Sequence, residues 1–200
     1  MKALIIVDIQ NDFIPGGSLA VPDGDKIISR INEIQKKFEI VVATQDWHPA
    51  NHKSFASQHE DKNPFDVIDL NGLQQTLWPD HCIQSTKGAE LHKDLNTNKI
   101  EAIFRKGTNP EIDSYSGFFD NGHKKATGLH GYLQERKVTS VFVCGLAADF
   151  CVYYTAMDAL TLGYESTILD ESTKAIDPIH FMDLKDNFRA KGGKISSYIL

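Results

Sequence analysis

Val138-Thr139-Ser140-Val141-Phe142-Val143-Cys144, continuing as Gly145-Leu146-Ala147-Ala148-Asp149-Phe150-Cys151, reads as a buried strand that turns through small residues into a helix. A short, mostly apolar run rich in valine fits a strand covered on both faces, as in a parallel sheet. Four more runs share this character: Ala3 to Val7, Glu39 to Thr44, Ile100 to Phe104 and Glu165 to Leu169. A weaker sixth spans Lys194 to Leu200. Helical periodicity falls between them. Ile27, Ile28, Ile31 and Ile34 share one face of a helix over about 24–37. Further helices are expected over Lys124 to Arg136, over Asp149 to Leu162 with Asp149 as N-cap, and after Asp177-Pro178, an N-cap followed by proline at the first helical position. Strands alternating with helices predict a doubly wound α/β fold: a mostly parallel six-stranded sheet in a three-layer α/β/α sandwich.

The chain of 200 residues fits one domain, 1–200, able to bury a core without disulfides. Two segments break the strand–helix rhythm, Gln45 to Lys99 and Lys106 to His123, and long irregular segments of this kind are usually functional. The formal net charge of -6 argues against nucleic acid or an anionic membrane surface as partner. No apolar run approaches the roughly 20 residues needed to span a bilayer. Three cysteines without framework spacing point to a reducing compartment, hence a cytoplasmic location. The sequence does not decide between a monomer and a homo-oligomer.

In an open α/β sheet, ligands bind at the carboxyl ends of the strands. Asp8 follows the first strand there, Lys106 the third, and Cys151 the fourth. Taken singly, Asp8 reads equally well as a turn cap and Lys106 as a surface lysine. Cys82 and Cys144 read as small buried hydrophobes. Cys151 is placed differently, in the first turn of a helix, where backbone N–H groups and the helix dipole favour a thiolate and can receive an oxyanion. After the second strand comes Gln45-Asp46-Trp47-His48-Pro49; in extended chain Asp46 and His48 face one side and can chelate together. His81 lies far along in Trp78-Pro79-Asp80-His81-Cys82. Two imidazoles and a carboxylate suit a divalent transition metal with open positions. His52 and His59 are nearby, with roles left open. No Gly-rich phosphate cradle follows the first strand, which argues against a dinucleotide module.

In combination these pieces resemble the nicotinamidases of the isochorismatase-like hydrolase superfamily, along essentially the whole chain. The matching motifs are D-I-Q-N-D-F from Asp8, Q-D-W-H-P-A-N-H at 45–52, W-P-D-H-C at 78–82, R-K-G at 105–107, Y-S-G-F at 115–118 and G-L-A-A-D-F-C-V at 145–152. The resemblance implies a triad of Asp8, Lys106 and Cys151. It implies metal ligands Asp46, His48 and His81 within an insertion at about 45–99, with His52 an open possibility. Zinc is the expected ion; iron or manganese also occur in the family. It further implies an oxyanion hole from the N–H groups of Ala147 and Cys151, a cis peptide before Ala147, and pocket walls from Phe13, Trp78 and Tyr115. The expected activity is hydrolysis of nicotinamide to nicotinate and ammonia through a cysteine acyl-enzyme, serving NAD salvage, with pyrazinamide as a further substrate. The alternatives are an amidase for another small carboxamide and a binding protein that keeps the pocket without turnover.

Overall fold

Residues of the first strand, β1 (Lys2–Val7), go alternately to two cores: Ala3, Ile5 and Val7 to one, Leu4 and Ile6 to the other. The structure, a computed structural model, describes residues 1–197. Its further elements are α1 (Ile28–Ile34), β2 (Ile40–Asp46), β3 (Val67–Leu70), β4 (Leu73–Thr76), β5 (Ile100–Lys106), α2 (Leu129–Glu135), β6 (Ser140–Gly145), α3 (Tyr153–Thr161), β7 (Glu165–Thr173), α4 (Pro178–Ala190) and β8 (Lys194–Ser196). Six strands form one sheet in the order β5-β2-β1-β6-β7-β8, and every neighbouring pair is parallel.

One core takes Leu129 and Leu133 of α2, Ala156 and Ala159 of α3, and Phe181 and Phe188 of α4. The other takes Ile28, Ile31 and Ile34 of α1, and then irregular chain: Phe13, Leu19, Val21, Trp78 and Leu95. The three-layer α/β arrangement is therefore as expected, but loops complete one of its outer layers. β2 is buried along its whole length, whereas β5, at the edge, alternates between buried and exposed positions. Among the described residues, no helix is long and apolar enough to cross a membrane.

Four local expectations change. The helix over 24–37 is three pieces, with 3-10 turns at Gly24–Ile27 and Gln35–Lys37 flanking α1. The second helix begins only at Leu129, because Gly128 takes φ +97° and cannot lie in a right-handed helix. Asp149 does not cap the fourth-strand helix. The chain enters α3 through a π-helical turn, Ala148–Val152, and the Asp149 carboxylate instead accepts from the N–H groups of Ile176 (3.0 Å) and Asp177 (2.7 Å). Two strands inside the 45–99 segment went unread: β3 and β4 form an antiparallel hairpin. Asn71 and Gly72 at its turn both take positive φ, 56° and 86°, as a type I′ turn requires. Asp177 caps α4 as expected, accepting from Ile179 (2.9 Å) and His180 (3.1 Å). β8 is described to Ser196; the expected strand residues 198–200 lie outside the described residues.

The reassignment of Asp149 predicts a difference between two aspartates. Asp149→Ala leaves two backbone donors short of an acceptor and is expected to cost about 1–3 kcal/mol. Asp177→Ala removes an exposed cap and is expected to cost about 1 kcal/mol. Urea unfolding of both variants checks this; an Asp149→Ala protein as stable as the wild type would return Asp149 to the surface.

Candidate active site

The sheet order brings the candidate residues together. β1 lies between β2 and β6, and β2 lies beside β5. The carboxyl ends of four adjacent strands therefore meet, with Asp46 in register with Lys106 and Val7 in register with Gly145. Asp8 leaves β1 with φ +49°, a left-handed turn that aspartate tolerates better than most residues. Lys106 is the last residue of β5 and is fully buried. Its Nζ stands 2.9 Å from Asp8 Oδ2 and 2.9 Å from Asp46 Oδ1. It also donates to the Ser114 carbonyl at 3.0 Å and to Cys151 Sγ at 3.3 Å. Thr44 Oγ1 donates to the other Asp8 oxygen at 2.6 Å. Asp8 and Cys151 thus flank the same ammonium group.

Burial dominates the ionisation of these groups. It pushes the Asp8 carboxyl above the usual carboxylate range, although Lys106 pulls it down. It holds the Cys151 thiol well above its ordinary range, again against the pull of Lys106. This departs from the expectation of a thiolate favoured by the helix terminus. Here the sulfur is held toward the thiol beside a carboxylate of raised basicity, an arrangement suited to proton transfer at the moment of attack. Lys106 resists its own burial because Asp46 and Asp8 hold its proton well above the ordinary lysine range.

The metal set is equally local. Asp46, His48 and His81 are buried and bring their ligand atoms within 4.8 Å of one another. His48 Nδ1 donates to the Gly107 carbonyl (2.9 Å) and His81 Nδ1 to the Pro79 carbonyl (2.7 Å). In the neutral rings, with the proton on Nδ1, each Nε2 would turn a lone pair on Asp46 Oδ2, at 3.1 Å and 3.6 Å. Lone pairs facing a carboxylate repel unless a proton or cation lies among them, and His48 Nε2 has no hydrogen-bond partner. The donor set thus fits a divalent cation. Burial opposes the charged forms of both Asp46 and His48, but their attraction for each other, with Lys106 beside Asp46, outweighs it: Asp46 is held well below its usual range and His48 above its own. Gly107 makes room for His48, since a Cβ there would overlap the imidazole. His52 is buried next to His48, with ring centroids 4.3 Å apart. His59 is turned away, onto the Lys53 carbonyl.

Phe13, Trp78, Tyr115, Ala147 and Cys151 line one pocket with Asp46 and His81. The Leu146–Ala147 peptide bond is cis. Around it, the N–H of Ala148 donates to the Lys174 carbonyl (2.7 Å), and those of Phe150 and Val152 to the Ala147 carbonyl (3.2 and 3.1 Å). Several contributors escaped the sequence reading. Phe150 is a fourth aromatic wall, edge-on to Trp78 at 4.8 Å and to Tyr115 at 5.4 Å; its place beside Cys151 was the available signal. Gln10 pairs with Asp46 as another strand would, donating to its carbonyl and accepting from its N–H, each at 2.8 Å. Thr44 and the buried pocket residue Asp113 carried no motif signal at all.

Comparison with known proteins gives a consistent picture. The isochorismatase domain family matches residues 2–198. A nicotinamidase of Escherichia coli (strain K12) is 47% identical over 180 residues, 88% of this chain and 84% of that protein. One from Acinetobacter baylyi is 50% identical over 175 residues, 88% and 82% of the two chains. Among solved structures, an Acinetobacter baumanii nicotinamidase/pyrazinamidase superposes with a TM-score of 0.94 at 47% identity, over 97% of this chain and 94% of that one. An L. infantum protein solved in complex with nicotinate gives 0.87 at 38% identity, over 98% and 92%. A Pyrococcus horikoshii pyrazinamidase in complex with zinc gives 0.81 at 38% identity, over 98% and 99%.

The three cysteines separate cleanly in this geometry. Cys151 lines the pocket; Cys144 is a strand residue of β6 buried in the core, and Cys82 is enclosed beside Asp12. Cys151→Ala is expected to abolish turnover while circular dichroism and metal content stay unchanged. Cys144→Ala is expected to lose stability but retain chemistry. Substantial turnover by purified Cys151→Ala would rule the sulfur out as nucleophile.

Proposed function

The chain belongs to the isochorismatase family, and from that membership and the site we propose that it is an amidohydrolase converting nicotinamide to nicotinate and ammonia. The observation that carries this is the shared pocket: Cys151 and the metal-type ligands Asp46 and His81 line one aromatic-walled space. A flat, neutral aromatic amide suits such walls. The names of the relatives support the same substrate, and that of the A. baumanii protein supports pyrazinamide as a second one.

The chain's own residues divide the work as follows. Phe13, Trp78, Tyr115 and Phe150 hold the ring and keep water from the reacting centre. Asp8 takes the thiol proton as Cys151 Sγ attacks the carboxamide carbon. The oxyanion is received by the N–H groups of Ala147 and Cys151. Asp8 returns the proton to the departing nitrogen, ammonia leaves, and a thioester remains. Asp8 then draws a proton from water as the water attacks the thioester, and passes that proton to the departing sulfur; the thiol is restored and the acid leaves, ionising to nicotinate. Lys106 stays charged throughout and stabilises the ionised form of Asp8 against its burial. Asp46, His48 and His81 would hold a divalent ion, for which the zinc-bound relative supports zinc; when bound, the ion supplies a Lewis-acid contact for the pyridine nitrogen. The family match over 2–198 supports reading the chain as one domain. NAD salvage in a reducing cytoplasm is the setting this activity and the free cysteines support.

Ammonia release from nicotinamide by the purified, metal-loaded protein tests the reading. Asp8→Asn is expected to lower kcat by about 10²–10⁴-fold, because the proton loses its carrier. Benzamide, which keeps the amide and lacks the ring nitrogen, is expected to be a poor substrate. Equal kcat/KM for benzamide and nicotinamide would mean that the ring nitrogen is not read.

A further inference from the structure

Three buried imidazoles stand together beyond the end of β2, and the backbone fixes the proton differently on one of them. A carbonyl oxygen can only accept a hydrogen bond, and a backbone N–H can only donate one. The carbonyls of Gly107 and Pro79 therefore assign Nδ1–H to His48 and His81, so that in the neutral ring, the form that binds a cation, Nε2 of each carries the lone pair. His52 is reversed. Its Nδ1 accepts from the backbone N–H of Ser54 at 3.2 Å and stands 2.7 Å from the Ser54 hydroxyl. In the neutral ring the proton must then sit on Nε2. That nitrogen is buried and has no partner among the described residues. His52, His48 and buried Asp113 nevertheless bring one ligand-type atom each within 4.8 Å of one another.

We propose that His52 serves the metal site as a hydrogen-bond donor and not as a ligand. This rests on reading Asp46, His48 and His81 as the ligands. A nitrogen that carries a proton has no lone pair for a cation. For His52 to ligate through Nε2, its proton would have to move to Nδ1, and two N–H groups, those of Ser54 and His52, would then face each other. The Asp113 carboxylate already accepts from the N–H of Ser114 (2.7 Å) and from Gln75 Nε2 (3.1 Å). The His52 Nε2–H, beside His48 and Asp113, would then be free to donate to a further ligand of the bound ion. His52 is thus a positioning residue, and the spacing of the histidines in 45–52 does not by itself make each of them a ligand.

Long-range proton–nitrogen correlations on protein carrying isotope-labelled histidine read the tautomers directly. Without zinc, His52 is expected to show a bare Nδ1 and a protonated Nε2. Added zinc should move the Nε2 signals of His48 and His81 and leave the His52 tautomer unchanged. A proton on His52 Nδ1 with a zinc-shifted Nε2 would overturn the proposal. Zinc that moves none of the three would remove the metal reading and this proposal with it, and is distinguishable because His52 then shows no inversion. Zinc affinity gives a second readout. His52→Leu is expected to weaken binding about 10–100-fold, as loss of a residue that supports a ligand does. His52→Gln keeps an N–H near the Nε2 position and should restore most of that loss. His48→Leu should abolish stoichiometric binding. A His52→Gln protein as metal-free as His48→Leu would make His52 a ligand.

Discussion

Lys106 carries an ammonium group into a space that water does not reach, and the rest of the site answers that charge. Removing an ion from water costs several kcal/mol unless close partners and hydrogen bonds compensate. Asp8, Asp46, the Ser114 carbonyl and the Cys151 sulfur provide the compensation. They come from the ends of β1 and β2, the loop after β5 and the helical turn after β6. The cation therefore joins two chemistries: one carboxylate moves the proton of the nucleophile, and the other ligates. Asp46 raises the cost of ionising Asp8, and the shared charge of Lys106 favours the anionic form of both, with His48 adding to it at Asp46.

The fold supplies that meeting point through strand order. β1 sits centrally, with β2 and β5 to one side and β6 to the other. The chain reverses its direction of growth at β1, the place where open α/β sheets leave a crevice. The loops that close one face of the sheet then do more than cover a core. Phe13 and Trp78 belong to that core and also wall the pocket. Phe55, fully buried, packs its ring against His48 and His81 at centroid distances of 5.4 and 5.5 Å. Substrate pocket and hydrophobic core are one continuous packing problem, so the site is held as rigidly as the core.

Much of this was legible in the residues. The apolar runs announced the inner sheet strands, because buried parallel strands have no polar face to disguise them; the edge strands β5 and β8 are half-exposed, and β8 gave the weakest run. Asp177-Pro178 announced α4, because capping chemistry is local. Other features depended on partners distant in sequence. Asp149 looks like a cap from its neighbours, but Ile176 and Asp177 claim its carboxylate across the fold. A thiolate at Cys151 follows from helix geometry alone; full burial, invisible in the sequence, reverses it. Thr44 and Gln10 gain their roles only once β1 and β2 are paired. The hairpin of β3 and β4 had a local signal in Asn71-Gly72, obscured because the flanking strands are short and half-exposed.

The central claim is that the buried charge of Lys106, and not merely its bulk, makes the site work. Turnover of nicotinamide by Lys106→Met, with folding verified by circular dichroism, tests it most directly, because methionine fills similar space without charge. The account predicts a folded protein whose kcat falls by more than about 10²-fold, the scale of losing a preorganised electrostatic contact. A folded Lys106→Met protein that hydrolyses nicotinamide within a few-fold of the wild-type rate would contradict it.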